Sequence, residues 1–207
     1  MTEAAELPQL YLITPPEFEL STFPDRLAKC LDATEIACVR LSLATRDEDR
    51  LSRAADALRE VTHERDIALV IDSHMMMVER LGLDGVHLMD GSRNVKKVRK
   101  ELGEDAIVGA YCRASRHDGM TAGELGADYV SFGPVNLTAL GTGEKADLEL
   151  FEWWSMMIEI PMVAEGALDE DTIRQITPYT DFFGIGDEIW KEDDAAAALL
   201  RLKGAMS

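Results

Sequence analysis

Cysteine is scarce and unpatterned. Cys30, Cys38 and Cys112 are odd in number and show no C-x-x-C spacing. That argues against a disulfide framework or a cysteine metal site and leaves three small buried hydrophobes. Long apolar runs are missing as well. Nothing approaches the ~18 consecutive apolar residues of a membrane span. Positive charge is in short supply: 21 Lys and Arg face 39 Asp and Glu, a net charge of −18. Nucleic-acid binding rests on Lys and Arg neutralising phosphates, so nucleic acid is an excluded partner, and anionic membrane surfaces are excluded on the same ground. Met1 to Gln9 is acidic and lacks a basic-then-apolar pattern, which predicts a cytoplasmic protein. No Pro-, Gly- or Ser-rich linker interrupts the chain, so residues 1–207 are read as a single domain.

What is present is a repeated phrase. Gly126-Ala127-Asp128-Tyr129-Val130-Ser131-Phe132-Gly133-Pro134 reads as a short buried strand, stopped by Gly-Pro and preceded by a helical stretch. Weaker copies are Leu83-Asp84-Gly85-Val86-His87-Leu88 and Thr180-Asp181-Phe182-Phe183-Gly184-Ile185. The Asp positions lie 44 apart (128 − 84) and 53 apart (181 − 128). Each interval suits two strand-helix units, so these phrases mark every second strand of an array.

The pattern predicts strands at Gln9–Thr14, Glu35–Leu41, Ala68–Asp72, the Asp84 phrase, Ala106–Ala110, the Asp128 phrase, Pro161–Ala164 and the Asp181 phrase. Between and after them it predicts helices over Phe23–Leu31, Asp47–Thr62, Met75–Leu81, Asn94–Leu102, Ser115–Leu125, Asp147–Glu159, Asp169–Ile176 and Lys191–Leu202. Asn136–Lys145, rich in Gly and Thr, is a loop. Eight strands alternating with eight helices predict an α/β fold, a single closed (β/α)8 TIM barrel, with an open doubly wound sheet as the alternative.

Such a barrel carries its site at the C-terminal strand ends. Those positions hold Thr14; Arg40 and Ser42; Asp72, Ser73 and His74; His87, Met89 and Asp90; Tyr111, Cys112 and Arg113; Gly133 and Thr138; Glu165 and Gly166; and Gly186 and Asp187. The set is polar beyond any generic structural need and predicts a small-molecule ligand at that face. His74 and His87 lie at adjacent strand ends and could share a metal with Asp72 or Asp90, but no metal site is expected. Met75-Met76-Met77 and Trp153-Trp154 read as core or interface, and pairing into a homodimer stays open.

The order of motifs resembles the thiamine phosphate synthase and thiazole tautomerase family over Leu10 to Trp190. Gly126 to Pro134 is similar to the family's Gly-Ala-Asp-Tyr-Val-x-Phe-Gly-Pro. Asp84 to Leu88 is similar to its Asp-Gly-Val-His-Leu, and Ile160 to Gly166 to its Ile-Pro-Val-Val-Ala-Ile-Gly-Gly. The resemblance implies a (β/α)8 barrel. It implies a transferase that joins hydroxymethylpyrimidine diphosphate to thiazole phosphate with Mg²⁺ and releases pyrophosphate.

Carried over position by position, the implied site is altered. Where the family has Gln-Leu-Arg-x-Lys after the second strand, this chain has Arg40-Leu41-Ser42-Leu43-Ala44. Asp72-Ser73 stands for Asn-Asp and Met89-Asp90-Gly91-Ser92 for Gly-Gln-x-Asp, so both Mg²⁺ carboxylate positions carry Ser. Of Thr-x-Thr-Lys only Thr138 matches, and of Gly-Gly only Gly166. The tautomerase His aligns with Arg113, and the phosphate-binding Ser with Asp187. The candidate binding residues are therefore Arg40, Asp72, His74, Asp90, Tyr111, Arg113, Thr138, Glu165, Gly166 and Asp187. Mg²⁺ is expected only if synthase activity is retained. Asp187 and Glu188 stand where a helix begins, and the expectation is that Asp187 caps it and occupies the anion site itself. The alternative to a synthase is a binding or regulatory barrel, or an enzyme acting on an unphosphorylated or cationic small molecule.

Overall fold

The computed structural model describes residues 7–136 and 144–207. Eight parallel strands close into a barrel in chain order, β1 through β8 and back to β1. They are β1 Gln9–Ile13, β2 Cys38–Leu41, β3 Ala68–Asp72, β4 Gly85–Leu88, β5 Ile107–Tyr111, β6 Tyr129–Phe132, β7 Met162–Glu165 and β8 Phe182–Ile185. The closing pair is β1 with β8, Tyr11 opposite Gly184. The expected barrel is thus the observed one, and the open sheet is not.

Helices α1 Phe23–Ala33, α2 Glu48–His63, α3 Met75–Leu81, α4 Val95–Leu102, α5 Arg116–Glu124, α6 Leu148–Met157 and α7 Glu170–Ile176 follow the first seven strands. Two expectations need correction. The last helix begins at Ala195, not Lys191, because a separate turn of helix, α8 Asp187–Trp190, precedes α9 Ala195–Gly204. The second strand starts at Cys38 rather than Glu35. Several Asp residues of the acidic surplus are helix caps. Asp47, Asp147, Asp169 and Asp194 each accept from backbone N–H groups of the turn they open, which satisfies orphan donors and suits the positive end of the helix dipole.

The outward face of the strands packs on the helices around Leu10, Leu12, Val39, Leu69, Ile71, Val108, Val130, Phe132 and Phe183. The inward face is a second, smaller cluster of Tyr11, Cys38, Val70, Tyr129 and Val163. Strand alternation then fixes what faces the axis. On β2 it is Cys38 and Arg40, on β3 Ala68, Val70 and Asp72, on β7 Val163 and Glu165. Gly109 of β5 is inward too, opposite Tyr129 in register. A Cβ there would lie 2.2 Å from Tyr129 Cζ, so the tyrosine ring fills the space a larger side chain would need.

The repeated Asp residues lie at the opposite end of the barrel from the site. Asp84 N donates to Leu69 O at 2.9 Å, and its Oδ2 accepts from Leu69 N at 2.7 Å. Asp128 brackets Val108 in the same way, at 2.8 and 2.7 Å. Asp181 Oδ2 accepts from Met162 N at 2.9 Å. Each carboxylate therefore satisfies an amide near the start of an odd strand, just before that strand's ladder with the next one begins. The first strand pair has Ala37 at the corresponding place and lacks the bracket.

Candidate functional site

The strand ends surround a cavity of about 760 Å³. Its walls include Ile13, Arg40, Met89, Tyr111, Glu165, Gly166, Gly186, Asp187, Glu188, Lys191 and Glu192. Arg40 lies at its floor, 4% exposed, and Glu165 beside it is 6% exposed. Arg40 Nη1 donates to Glu165 Oε2 and to His87 Nε2, both at 2.9 Å. Arg40 Nε faces Asp72 Oδ1 at 3.3 Å. Ser131 Oγ donates to the other Glu165 oxygen at 3.3 Å. One cation is thus shared by two carboxylates.

The hydrogen bonds have a fixed direction. An arginine side chain only donates, so His87 Nε2 must accept and the ring proton sits on Nδ1. Nδ1–H then donates to Tyr129 Oη at 2.8 Å, and the Tyr129 and Tyr11 hydroxyls lie 2.7 Å apart. Burial, reinforced by Arg40, holds His87 well below the usual imidazole range, so it is neutral. Both ring nitrogens are occupied, which removes His87 as a metal ligand.

Burial raises the Glu165 and Asp72 carboxyls above the usual range, against the pull of Arg40. Burial would lower Arg40, but Glu165 and Asp72 together hold it above its ordinary value and keep it charged. Tyr111 is pushed up to about 12, by burial first and then by the nearby Glu165. Its hydroxyl donates to Gly133 O at 2.8 Å, so the ring is fixed against the wall.

The ten candidates divide. Arg40, Tyr111, Glu165, Gly166 and Asp187 line the cavity. Asp72 reaches it through Arg40, since strand parity turns it inward. Asp90 instead borders a separate hollow of about 410 Å³ with Met75, Asn94 and Lys97, and accepts from Asn94 at 2.6 Å. His74 begins α3 without a side-chain cap, and Arg113 is exposed beyond β5; neither lines the main cavity. Thr138 lies outside the described residues. Non-glycine residues adopt left-handed backbone at Ser73, Arg113 and Ala167, with φ of 60°, 55° and 55°. Each follows the mouth end of an odd strand, β3, β5 and β7, and strained backbone of this kind clusters at functional sites.

Asp187 does not do what its position suggested. The cap of α8 is Gly186, without a side-chain hydrogen bond. The Asp187 side chain is 54% exposed and pairs with Lys191 at 3.3 Å. The next residue takes the amides: Glu188 Oε2 accepts from Gly186 N at 2.7 Å, and Oε1 from Leu168 N at 3.0 Å. A Glu side chain is one methylene longer and can fold back across the β8 turn to the loop after β7, which Asp187 at the outer edge cannot. Tyr11, Tyr129 and Ser131 were also missed. Their only signal was parity: each is an inward strand position in line with a polar strand end.

The Mg²⁺ expectation does not fit the residues present. Asp72 is committed to Arg40 and Asp90 to Asn94. Ser92, at one expected ligand position, donates through N and Oγ to Asp118. Mg²⁺ needs one or two carboxylates free to face it, and Asp72, beside one expected ligand position, faces Arg40 instead.

The profile of the family described as "Thiamine monophosphate synthase" matches residues 10–180. The chain belongs to that family. Thiamine-phosphate synthase of Rhodospirillum centenum is 39% identical over 194 residues, covering 92% of this chain and 93% of the relative. That of Erythrobacter litoralis is 37% identical, covering 93% of each, and that of Hyphomonas neptunium 35% identical, covering 96% and 93%. Among solved structures, thiamine phosphate pyrophosphorylase from Pyrococcus furiosus superimposes with a TM-score of 0.82 at 21% identity, covering 96% of this chain and 95% of that one. Among the described residues, the cavity walls carry the carboxylates of Glu165, Asp187, Glu188 and Glu192.

Proposed function

We propose that this member of the thiamine monophosphate synthase family keeps a ligand-binding mouth but does not join a pyrimidine diphosphate to a thiazole phosphate. Its ligand is an unphosphorylated, neutral or cationic small molecule. One observation carries the reading: among the described residues, the two cations lining the cavity both stand beside carboxylates, Arg40 buried and Lys191 at the exposed rim. Arg40 serves Glu165 and Asp72, and Lys191 serves Asp187. A diphosphate leaving group needs fixed positive charge at the place where negative charge develops. Here Glu165, Asp187, Glu188 and Glu192 line the wall instead. The fixed Tyr111 ring, Met89 and Ile13 offer a flat or apolar group a surface.

The second reading is retained synthase activity, which the names of relatives at 35–39% identity favour. Incubation of the purified protein with hydroxymethylpyrimidine diphosphate, thiazole phosphate and Mg²⁺ separates the two. The expected result is neither thiamine phosphate nor released pyrophosphate. Turnover with both products in equal amounts would establish the second reading.

A further inference from the structure

We propose that His87 is a positioning residue: by occupying one N–H of Arg40 it keeps the guanidinium out of a forked ion pair and leaves Nη2 as an open donor at the cavity floor. The inference goes beyond the proposed function and does not rest on it. It concerns which nitrogen faces the cavity, not which molecule enters.

Strand parity brings the parts together. His87 is an inward residue of β4, opposite Asp72 of β3 and Gly109 of β5. Arg40 comes from β2, Tyr129 from β6 and Glu165 from β7. A guanidinium beside a carboxylate gains most from two parallel N–H···O bonds. Arg40 has a carboxylate on each of two edges and makes that fork with neither. A fork to Glu165 would use Nη1 and Nη2, yet only Nη1 bonds it, and the other Glu165 oxygen accepts from Ser131. A fork to Asp72 would use Nε and Nη2, yet Nε and Asp72 Oδ1 stand 3.3 Å apart, both buried and neither hydrogen-bonded. Nη2 is the nitrogen both forks need. It has no hydrogen-bond partner among the described residues and, unlike Nε, it is not buried.

Two carboxylates account for the charge state of Arg40 but not for its rotation. His87 accounts for the rotation. Its Nε2 takes the second N–H of Nη1 at 2.9 Å, so both hydrogens of that nitrogen are committed. The guanidinium is planar, and fixing Nη1 between two acceptors fixes the plane. The imidazole cannot follow a turning arginine. It is fully buried, its Nδ1–H is held by Tyr129 Oη at 2.8 Å, and the two rings stack with centroids 5.6 Å apart. Tyr11 Oη, 2.7 Å from Tyr129 Oη, backs the chain from β1. A ligand reaching the floor therefore meets a compensated charge with one amino group still open. That suits a carbonyl oxygen or a ring nitrogen, each of which accepts without bringing a charge.

The test reads the arginine side-chain ¹H–¹⁵N signals of wild type, His87→Leu and His87→Gln, with Arg40 assigned by its absence from Arg40→Lys. In wild type the Nη1 hydrogens should exchange slowly with solvent and the Nη2 hydrogens fast. In His87→Leu, which fills the space without an acceptor, Arg40 should turn into a fork. Exchange at Nη2 should then slow by about fivefold, the effect of one hydrogen bond gained, and one Nη1 hydrogen should quicken. His87→Gln should restore the wild-type pattern, because its Oε1 can accept from Nη1 while its Nε2 donates to Tyr129. The wild-type pattern in His87→Leu, or the leucine pattern in His87→Gln, overturns the inference, since either would leave His87 a packing role only. Should His87→Leu not fold, Tyr129→Phe decides. It removes the acceptor that holds the imidazole while keeping the ring, and exchange at Nη1 should rise. Unchanged exchange there overturns the inference as well. Synthase turnover by wild type would remove the proposed function and leave these exchange patterns as they are, so the two failures are distinct.

Discussion

The guanidinium of Arg40 and the carboxylate of Glu165 meet at 2.9 Å inside the barrel mouth, and both are buried. Neither is in a position to leave. Arg40 is held from the other sides by His87 and Asp72, and Glu165 by Ser131. A buried pair of this kind contributes little net stability over an apolar pair, because desolvation offsets attraction. Removing one partner is another matter, since it strands the other charge.

Arg40→Met is accordingly expected to destabilise the protein by about 3–5 kcal/mol, through the unpaired carboxylates it leaves. Glu165→Gln alone should cost less, because Asp72 still neutralises Arg40. In the double variant the two losses should not add, and urea unfolding of the four proteins measures the coupling. Additive losses would mean that the pair does not exist in solution.

His87 sets a pH dependence with a definite sign. Its folded value is depressed by burial and by Arg40, while in the unfolded chain it returns to about 6.5. Below that value the unfolded state takes up a proton that the folded state refuses, so stability falls as pH falls, by at most ~1.4 kcal/mol per unit. Glu165 and Asp72, raised by burial, act in the opposite direction: their contribution is complete below the unfolded carboxylate range and is lost as pH rises through the folded values. Comparison of wild type with His87→Gln isolates the histidine. Between about pH 7 and about pH 5 the melting temperature of wild type should fall more steeply than that of the variant. Parallel curves would show that His87 titrates normally.

How much of this was legible beforehand follows from the kind of signal each feature leaves. Strand and helix order was readable because Val70, Val86 and Val130 lie in short apolar runs between turn residues, and parallel barrel strands are buried on both faces. Arg40, Asp72 and Glu165 were readable as strand-end polar residues, but not their mutual pairing, which depends on barrel stagger. Asp187 was misread for a related reason. Sequence position says where a helix starts, whereas reach across the loop after β7 decides which carboxylate finds the amides, and Glu188 has that reach. Tyr11 and Tyr129 read only as strand residues, and their hydroxyls gain meaning only once His87 is seen between Tyr129 and Arg40.

The three aspartate brackets should each add to stability and be silent in function. Asp84→Ala, Asp128→Ala and Asp181→Ala each leave a strand amide without its acceptor, at a cost of about 1–3 kcal/mol. For a chain of this size that is a drop of roughly 2–4 °C in melting temperature per kcal/mol. Asp128→Ala should be the largest, because it also releases Arg99, which pairs with the same oxygen at 2.6 Å. Thermal melts rank the three. Since all lie at the end of the barrel away from the mouth, any ligand found for wild type should bind each variant with unchanged affinity.

Gly109 and Tyr129 form a lock that can be tested by removal and relief. Gly109→Ala forces a Cβ to within 2.2 Å of Tyr129 Cζ, and both residues sit on paired strands whose backbones cannot move apart cheaply. Overpacking of this type costs about 1–3 kcal/mol. The ring has to tilt, and its hydroxyl then leaves His87 Nδ1, so the damage extends to the Arg40 support. If the clash is the cause, the cost should vanish where the ring is absent. In a Tyr129→Ala background, Gly109→Ala should cost almost nothing, since the new methyl occupies space the ring has vacated. A full cost in that background would mean that Gly109 is needed for its backbone freedom and not for the room it leaves.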